Sequence, residues 1–436
     1  MFLSIFFITI SYLLLAAHAL RGGDWGFAFA LIALCLLTFT RELWLSYVAA
    51  VSLSFGAFIW VVNGADLISL RTNTGDDWIR LAAIMTLLFA LTLFSAVSAY
   101  SKTGQEYFSR HAERGWFKAS IFLLTALLLE IARSKVNFPI LMVDRFLPGW
   151  GRAEIFLLAL YAAWIGDKMY TPQGAKNIRP RIWAFFSLIF FGQLVLGLAG
   201  VERFLMTGVL HLPVPALIVG GPVFRGSGFF MPILFTVSVL LVGPAWCSHL
   251  CYIGAWDDQC SRLSMKPSSK VFMRKLIWLR FVLFLLVVGA AWGMKYIGIS
   301  GYTAIWFAVC FGLVGILVMV HFSMKMGMMV HCTAFCPLGI LSNLLGKLSP
   351  WRMRISSSCC KCMKCSKTCR YDALSKLDIE AGRPGLSCTM CGDCISSCSS
   401  SSINYKLPFT SASLSRSIFL VIIISLHALF LGVARI

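Results

Sequence analysis

The sequence predicts an all-α polytopic membrane protein, with about eleven transmembrane helices and one small polar insertion near its C-terminal end. Three observations carry this prediction. Hydrophobic residues fill 59% of the 436 positions and charged residues only 13%, about half the charged share of a soluble domain. Several apolar runs approach twenty residues, the length a helix needs to cross about 30 Å of hydrocarbon. Nine of the sixteen cysteines crowd into residues 359–398.

Taken in order, spans are expected to begin near residues 1, 25, 43, 78, 117, 153, 182, 227, 275, 302 and 414. The first run, "MFLSIFFITISYLLLAAHAL", lacks a basic leader and reads as a span rather than a cleaved signal. Four regions follow: six helices over 1–180, four helices over 181–348, the polar insertion over 349–413, and a last helix over 414–436. The net charge of +20 does not point to nucleic acid. The basic residues lie mostly between spans, where cytoplasmic loops collect Lys and Arg. Asp66, Asp76 and Asp77 share a loop with a single Arg71. The next loop holds Lys102, Arg110 and Arg114. Further basic loops hold Lys168, Lys176, Arg179 and Arg181, then Arg262, Lys266, Lys270, Arg274 and Lys275. Their alternation puts the N-terminus and the insertion inside and the C-terminus outside. The expected location is the bacterial inner (cytoplasmic) membrane.

Within the insertion, Cys359, Cys362, Cys365 and Cys369 are spaced C-x2-C-x2-C-x3-C, and Cys388, Cys391, Cys394 and Cys398 repeat that spacing. This is the bacterial two-cluster ferredoxin pattern, in which three cysteines hold one cubane and the fourth serves the other. The expected ligands are therefore Cys359, Cys362, Cys365 and Cys398 for one [4Fe–4S] cluster. Cys388, Cys391, Cys394 and Cys369 are expected to hold the second. The insertion then reads as a small α+β ferredoxin domain. Zinc needs four ligands but not a third cysteine at x2 and a fourth at x3, twice over. A disulfide framework is disfavoured on the reducing side of a membrane. The usual proline after the fourth cysteine is replaced by Arg370 and Ser399; proline shapes the turn and is no ligand. Arg370 reads as an ordinary exposed arginine and Cys360 as a bystander.

Two more pairs stand past the eighth and tenth spans: Cys247 and Cys251 in "WCSHLCYIGAW", Cys332 and Cys336 in "HCTAFCPLGIL". Each is C-x3-C with glycine three residues on. On one helix, positions i and i+4 share a face, so each pair can present two sulfurs to one point. Three readings stay open: an additional iron–sulfur cluster, a thiol–disulfide or metal-handling site, or structural cysteines at helix ends. Cys35, Cys260 and Cys310 are lone and read as small hydrophobes.

From about Arg181 to Tyr405 the chain resembles the membrane polyferredoxins of the NapH and NosR type, a group that includes CcoG-like proteins. The shared order is four spans, a C-x3-C motif after the second and after the fourth, then two ferredoxin motifs. Tyr252 stands where the motif has proline, whereas Pro337 keeps it. The resemblance implies electron transfer linked to the quinone pool, with other respiratory subunits or a cytochrome as partners. It also implies a rival role, in the assembly or regulation of a respiratory enzyme through metal reduction. No nucleophile, base and oxyanion-donor set is visible, so the chemistry expected is that of an electron-transfer subunit of an oxidoreductase complex.

Other residues invite attention. His18, His321 and His427 form no pair at matching depth, so haem is not expected. His249 and His331 adjoin the cysteine pairs and can hydrogen-bond a sulfur or a quinone. Glu130 interrupts an apolar run, and intramembrane acids are functional suspects; Arg133, one turn on, offers an ion pair. The apolar stretch over 208–228, broken by Pro213, Pro215 and Pro222, cannot be a regular span. It is expected in the interface, re-entrant, or as a packed cap.

Overall fold

The computed structural model describes residues 2–204, 214–264 and 271–433. The chain forms two compact units, Met1–Asp167 and Lys168–Ile436.

The first unit comprises α1 (Phe2–Arg21), α2 (Trp25–Thr38), α3 (Leu43–Thr74), α4 (Ile79–Tyr100), α5 (Gly115–Ser134) and α6 (Gly151–Met169). Helices α3 and α4 make its most extensive pairing, and α1 packs on α2 and α4. Gly56 lets α1 and α3 approach, since a Cβ there would stand 2.4 Å from Leu15 Cδ1. Several interior polar groups pair across helices, as a hydrocarbon setting requires. Ser11 and Ser95 lie 2.9 Å apart, Tyr12 and Ser52 2.8 Å, and Trp60 Nε1 donates to Thr92 at 3.1 Å. Glu130 stands 3.8 Å from Arg133 but only 2.9 Å from Arg152, which also pairs with Asp24. The ion-pair reading of Glu130 holds, with Arg152 as the nearer partner.

The second unit comprises α7 (Pro172–Leu198), α8 (Leu217–Arg225), α9 (Phe230–Val242), α10 (Tyr252–Leu263), α11 (Val271–Tyr296), α12 (Gly301–Val318) and α13 (Pro337–Leu345). The insertion follows: β1 (Arg352–Ile355), α14 (Lys364–Thr368), α15 (Lys376–Glu380), α16 (Asp393–Ser397) and β2 (Ile403–Lys406). Its sheet is the antiparallel pair Arg352↔Lys406 to Ile355↔Ile403. The last helix, α17 (Ala412–Val433), lays Phe419 against Tyr405 with rings 4.2 Å apart. Trp351 Nε1 donates to the Leu241 carbonyl at 2.8 Å, tying the insertion to the helix that precedes the first C-x3-C pair.

Among the described residues, nine helices are long and apolar enough to cross a membrane. Two of the eleven expected spans are not among them. Helix α2 has 14 residues, about 21 Å at 1.5 Å per residue. Helix α6 carries Arg152, Glu154, Asp167 and Lys168 near its ends, which shortens its apolar stretch.

Several residues read as loop residues lie within helices: Asp66 and Arg71 in α3, Lys168 in α6, Lys176 and Arg181 in α7, Arg262 in α10, and Arg274 and Lys275 in α11. Arg179, read as a loop residue, lies within α7 and is 1% exposed, because two carboxylates meet it there. Arg370, read as exposed, is partly buried: its Nη1 donates to the carbonyls of Ser261 at 2.5 Å and Gly327 at 2.8 Å. Lys266, Lys270 and Pro213 lie outside the described residues. Of the proline-broken stretch, α8 packs on α11, where Gly220 offers a Cβ position 3.2 Å from Val287 Cγ1.

Candidate metal centres

The insertion is built twice over. Lys361 and Met390 have φ of 54° and 55°, Met363 and Gly392 60° and 81°, Asp372 and Ser401 both 51°. Each pair stands 29 residues apart, the offset of the cysteine motifs. Non-glycine residues with positive φ are uncommon, so three matched positions mean one loop conformation used in both halves. That conformation turns backbone N–H groups onto sulfur. Lys361 N–H points to Cys359 Sγ and Met390 N–H to Cys388 Sγ, both at 3.5 Å. Ala373 N–H reaches Cys369 Sγ at 3.4 Å and Ser402 N–H reaches Cys398 Sγ at 3.3 Å. Such donors stabilise thiolates and help set a cluster's potential.

The two halves exchange their fourth cysteines. Cys365 lies within electrostatic reach of Cys359, Cys398 and Cys362. Cys369, Cys388, Cys391 and Cys394 line one cavity of about 450 Å³. The environments differ. Cys362 is exposed, and the Lys364 N–H, with Cys360, holds its thiol below the ordinary value. Burial pushes the Cys388 thiol up to about 12 and raises those of Cys391 and Cys394 well above their ordinary value. Thiolates there need a bound cationic group.

The four C-x3-C cysteines also converge. Cys247, Cys251, Cys332 and Cys336 line a single cavity of about 400 Å³, together with Arg280, Asn343, Tyr371 and Thr389. The expected i, i+4 helical face is not how they meet. Cys247 sits in a short turn, Trp246–His249, and Cys251 is the N-cap of α10. Cys332 sits in a wide turn, His331–Phe335, and Cys336 is the N-cap of α13. Each pair therefore straddles a helix break and places one sulfur at the positive end of the next helix, which favours anionic groups. Pro337 at the first helical position is the sequence signal for that restart; Tyr252 takes the same place and stacks on Phe190 at 4.0 Å. The glycines of both motifs pack on the first cysteine's carbonyl. A Cβ on Gly254 would stand 2.9 Å from Cys247 O, and one on Gly339 2.8 Å from Cys332 O.

Several buried polar atoms around this cavity lack a partner: Arg280 Nε and Nη2, Asn343 Oδ1, Tyr371 OH and Thr389 Oγ1. Arg280 is 2% exposed, and its Nη1 donates to the Cys332 carbonyl at 3.2 Å. A buried guanidinium with two idle nitrogens beside four sulfurs fits an occupant that is net anionic, as an iron–sulfur group with four thiolates is. Among the described residues no three His, Cys, Asp or Glu side chains come close enough to hold one metal ion. Tetrahedral zinc would need sulfurs about 3.8 Å apart, given bonds of about 2.3 Å.

The sets are connected. Tyr371 and Thr389 line both the C-x3-C cavity and that of Cys369, Cys388, Cys391 and Cys394. Cys332, Cys369 and Cys391 pack on one buried cluster that includes Trp183, Met329 and Tyr371. Asp257 braces the arrangement, accepting from the Cys332 N–H at 2.9 Å and from Ser323 Oγ at 2.5 Å. A buried charge network holds the insertion to the helices. Arg179 Nη2 stands 2.9 Å from Asp393 and 3.3 Å from Asp258, and Arg262 pairs with both carboxylates at 3.1 and 2.6 Å. Burial alone would raise Asp393, but Arg179 and Arg262 outweigh it and hold the carboxyl below its usual value. Its contribution to stability is present at neutral pH and is lost only as pH falls below the ordinary carboxylate range.

Sequence reasoning missed Arg280, which reads as one more basic residue at a span end, and Tyr371, whose role depends on contacts distant in sequence. His249 and His427 come together, with His427 Nδ1 3.5 Å from the His249 carbonyl.

A family described as "4Fe-4S binding domain" matches residues 215–270 and 307–356. Those stretches contain the two C-x3-C pairs, not the ferredoxin motifs. An uncharacterized protein of Methanocaldococcus jannaschii is 23% identical over 236 residues, 51% of this chain and 88% of its own. A protein of Escherichia coli named "Putative electron transport protein YccM" is 24% identical over 230 residues, 46% of this chain and 61% of its own. No solved structure matches. The chain is a helical membrane-type iron–sulfur protein with a 4Fe–4S ferredoxin domain.

Proposed function

We propose that this protein is an electron relay running from an aqueous surface to the membrane core through three [4Fe–4S] clusters. The carrying observation is the sharing of Tyr371 and Thr389 between the C-x3-C cavity and the inner ferredoxin cavity. Cys359, Cys362, Cys365 and Cys398 hold the outer cluster, Cys388, Cys391, Cys394 and Cys369 the middle one. Cys247, Cys251, Cys332 and Cys336 hold the third, with Arg280 as its counter-charge. When bound, each cluster supplies reversible one-electron chemistry. The residues do the rest. Exposed Cys362 leaves one end open to a soluble partner, and buried Cys394 keeps water from the middle site. Tyr371 fills the gap toward the membrane and excludes solvent from it. The similarity to an electron transport protein supports this reading.

The charge pattern of the loops supports a cytoplasmic position for the insertion, so the outer site faces the cytoplasm and the third lies toward the bilayer, where quinone or a membrane subunit exchanges electrons. Ferricyanide, which does not cross membranes, tests both points. It should reoxidise reduced clusters rapidly in inverted vesicles and slowly in spheroplasts. Rapid reoxidation only in spheroplasts would reverse the orientation. Slow reoxidation in both, made rapid by detergent, would deny the exposed outer end.

A further inference from the structure

The two halves of the insertion share one loop conformation, yet their loops meet different surroundings. In the inner half, Met390 packs toward Gly243, where a Cβ would stand 3.3 Å from its Sδ. The Thr389 carbonyl accepts from Ser248 Oγ at 2.9 Å. Asp393, which opens α16, meets Arg179 and Arg262 at 2.9 and 3.1 Å. A basic helical surface thus seats an acidic loop beside the middle site. The offset of 29 residues puts Lys361 in the outer half where Met390 stands in the inner, Lys364 where Asp393 stands, and Lys367 where Ser396 stands. All three lysines are exposed, and so is Cys362. Lys361 adjoins Cys362 in the chain, and the Lys364 charge acts on its thiol. Lys367 lies three residues on along α14, on the face of Lys364. Residues 356–371 contain no Asp or Glu. Of the insertion's carboxylates, Asp372 and Asp393 are buried, Asp378 lies toward Cys388, and Glu380 is exposed.

We propose that the outer loop docks a soluble, acidic redox protein, whose carboxylates meet Lys361, Lys364 and Lys367 while its one-electron cofactor faces Cys362. The charges are those of the inner seat, exchanged: there the loop is acidic and its seat basic, here the loop is basic. A basic partner would be repelled. Anionic lipid would satisfy the lysines but gives no reason for their place beside an exposed ligand sulfur. Lysine is a mobile point charge, suited to a contact that forms and parts, and complementary charge raises the encounter rate more than the affinity. The docking surface rests on the assignment of Cys359, Cys362, Cys365 and Cys398 to the outer cluster. In each encounter one electron passes between that cluster and the partner's cofactor, one oxidised as the other is reduced.

The test uses the purified full chain in detergent, reduced with dithionite and mixed in stopped flow with one of two oxidised proteins. Plant plastocyanin is the acidic probe and mitochondrial cytochrome c the basic one. With plastocyanin, the second-order rate should fall about tenfold between roughly 20 and 300 mM salt, as screening shortens the reach of exposed charges. With cytochrome c it should not fall. Lys361→Gln, Lys364→Gln and Lys367→Gln combined should lower the plastocyanin rate about tenfold at low salt and remove most of its salt dependence. Lys376→Gln with Lys406→Gln, elsewhere on the insertion, should leave the rate unchanged. Iron content should match wild type in all variants. If the triple variant loses iron, Lys367→Glu, the change farthest in sequence from Cys362, carries the test by a weaker salt dependence. In nanodiscs containing phosphatidylglycerol, acetylation of the three lysines should be slowed by plastocyanin and not by the lipid. Salt-independent rates, equal losses in the Lys376 and Lys406 variant, or protection by the lipid alone would overturn the proposal. Reoxidation by ferricyanide but not by plastocyanin would overturn the docking surface and leave the relay standing. Reoxidation by neither would refute the relay, and the docking surface with it.

Discussion

Replacing Cys332 and Cys336 together by serine is expected to lower iron from about twelve to about eight atoms per chain, four per cubane, with the spectra of the two ferredoxin clusters intact. The expectation is specific because the three cysteine sets stand on different supports. The ferredoxin sets are held by the insertion's own repeated loops, with their N–H groups on sulfur. The C-x3-C set is held by helix breaks, by Asp257 and by Arg280. Arg280→Leu should weaken retention of this third cluster under mild chelation, since the anionic site loses its buried counter-charge. Wild-type protein with only about eight irons, unchanged in the double variant, would remove the third site.

Arg179→Leu is expected to destabilise the second unit by about 3–5 kcal/mol, the usual cost of breaking a buried ion pair from one side. Arg262 would remain in direct contact with Asp258 and Asp393, leaving the two buried carboxylates short of the counter-charge that Arg179 supplies. Asp393 opens α16, next to Cys394, so the insertion should loosen from the helices. Limited proteolysis between residues 349 and 411 should accelerate, and the middle cluster should become labile to chelators. Arg179→Lys should recover part of the loss, because a point charge replaces the fork but not its geometry. Adding Asp393→Asn should cost less than the sum of the two single changes. Wild-type stability in Arg179→Leu would mean the network does not hold the insertion.

Much of this arrangement was legible in the sequence because cysteine spacing encodes ligand geometry. The repeated C-x2-C-x2-C-x3-C motifs pointed to two exchanged sets, and the structure brings Cys365 toward Cys398 and Cys369 toward Cys388. The four C-x3-C cysteines were expected at one point, and they line one cavity. The reason was misjudged: a helical face was expected, whereas Cys251 and Cys336 cap new helices. Pro337 was the available clue. What the sequence hid was long-range. Arg179 lies in a basic stretch that reads as a positive loop, and only the fold places Asp258 and Asp393 around it. Arg280 carries no motif; its meaning comes from a guanidinium buried beside the cysteines with Nε and Nη2 left without a partner.

The central claim is the order of the three sites, and an iron anomalous map of the full chain tests it most directly. Three compact iron peaks are expected. The middle one should lie among Cys369, Cys388, Cys391 and Cys394, the outer beside Cys362, and the third among Cys247, Cys251, Cys332 and Cys336, with Tyr371 between the middle and third. Two peaks confined to the insertion, or zinc or a disulfide joining the C-x3-C cysteines, would contradict it.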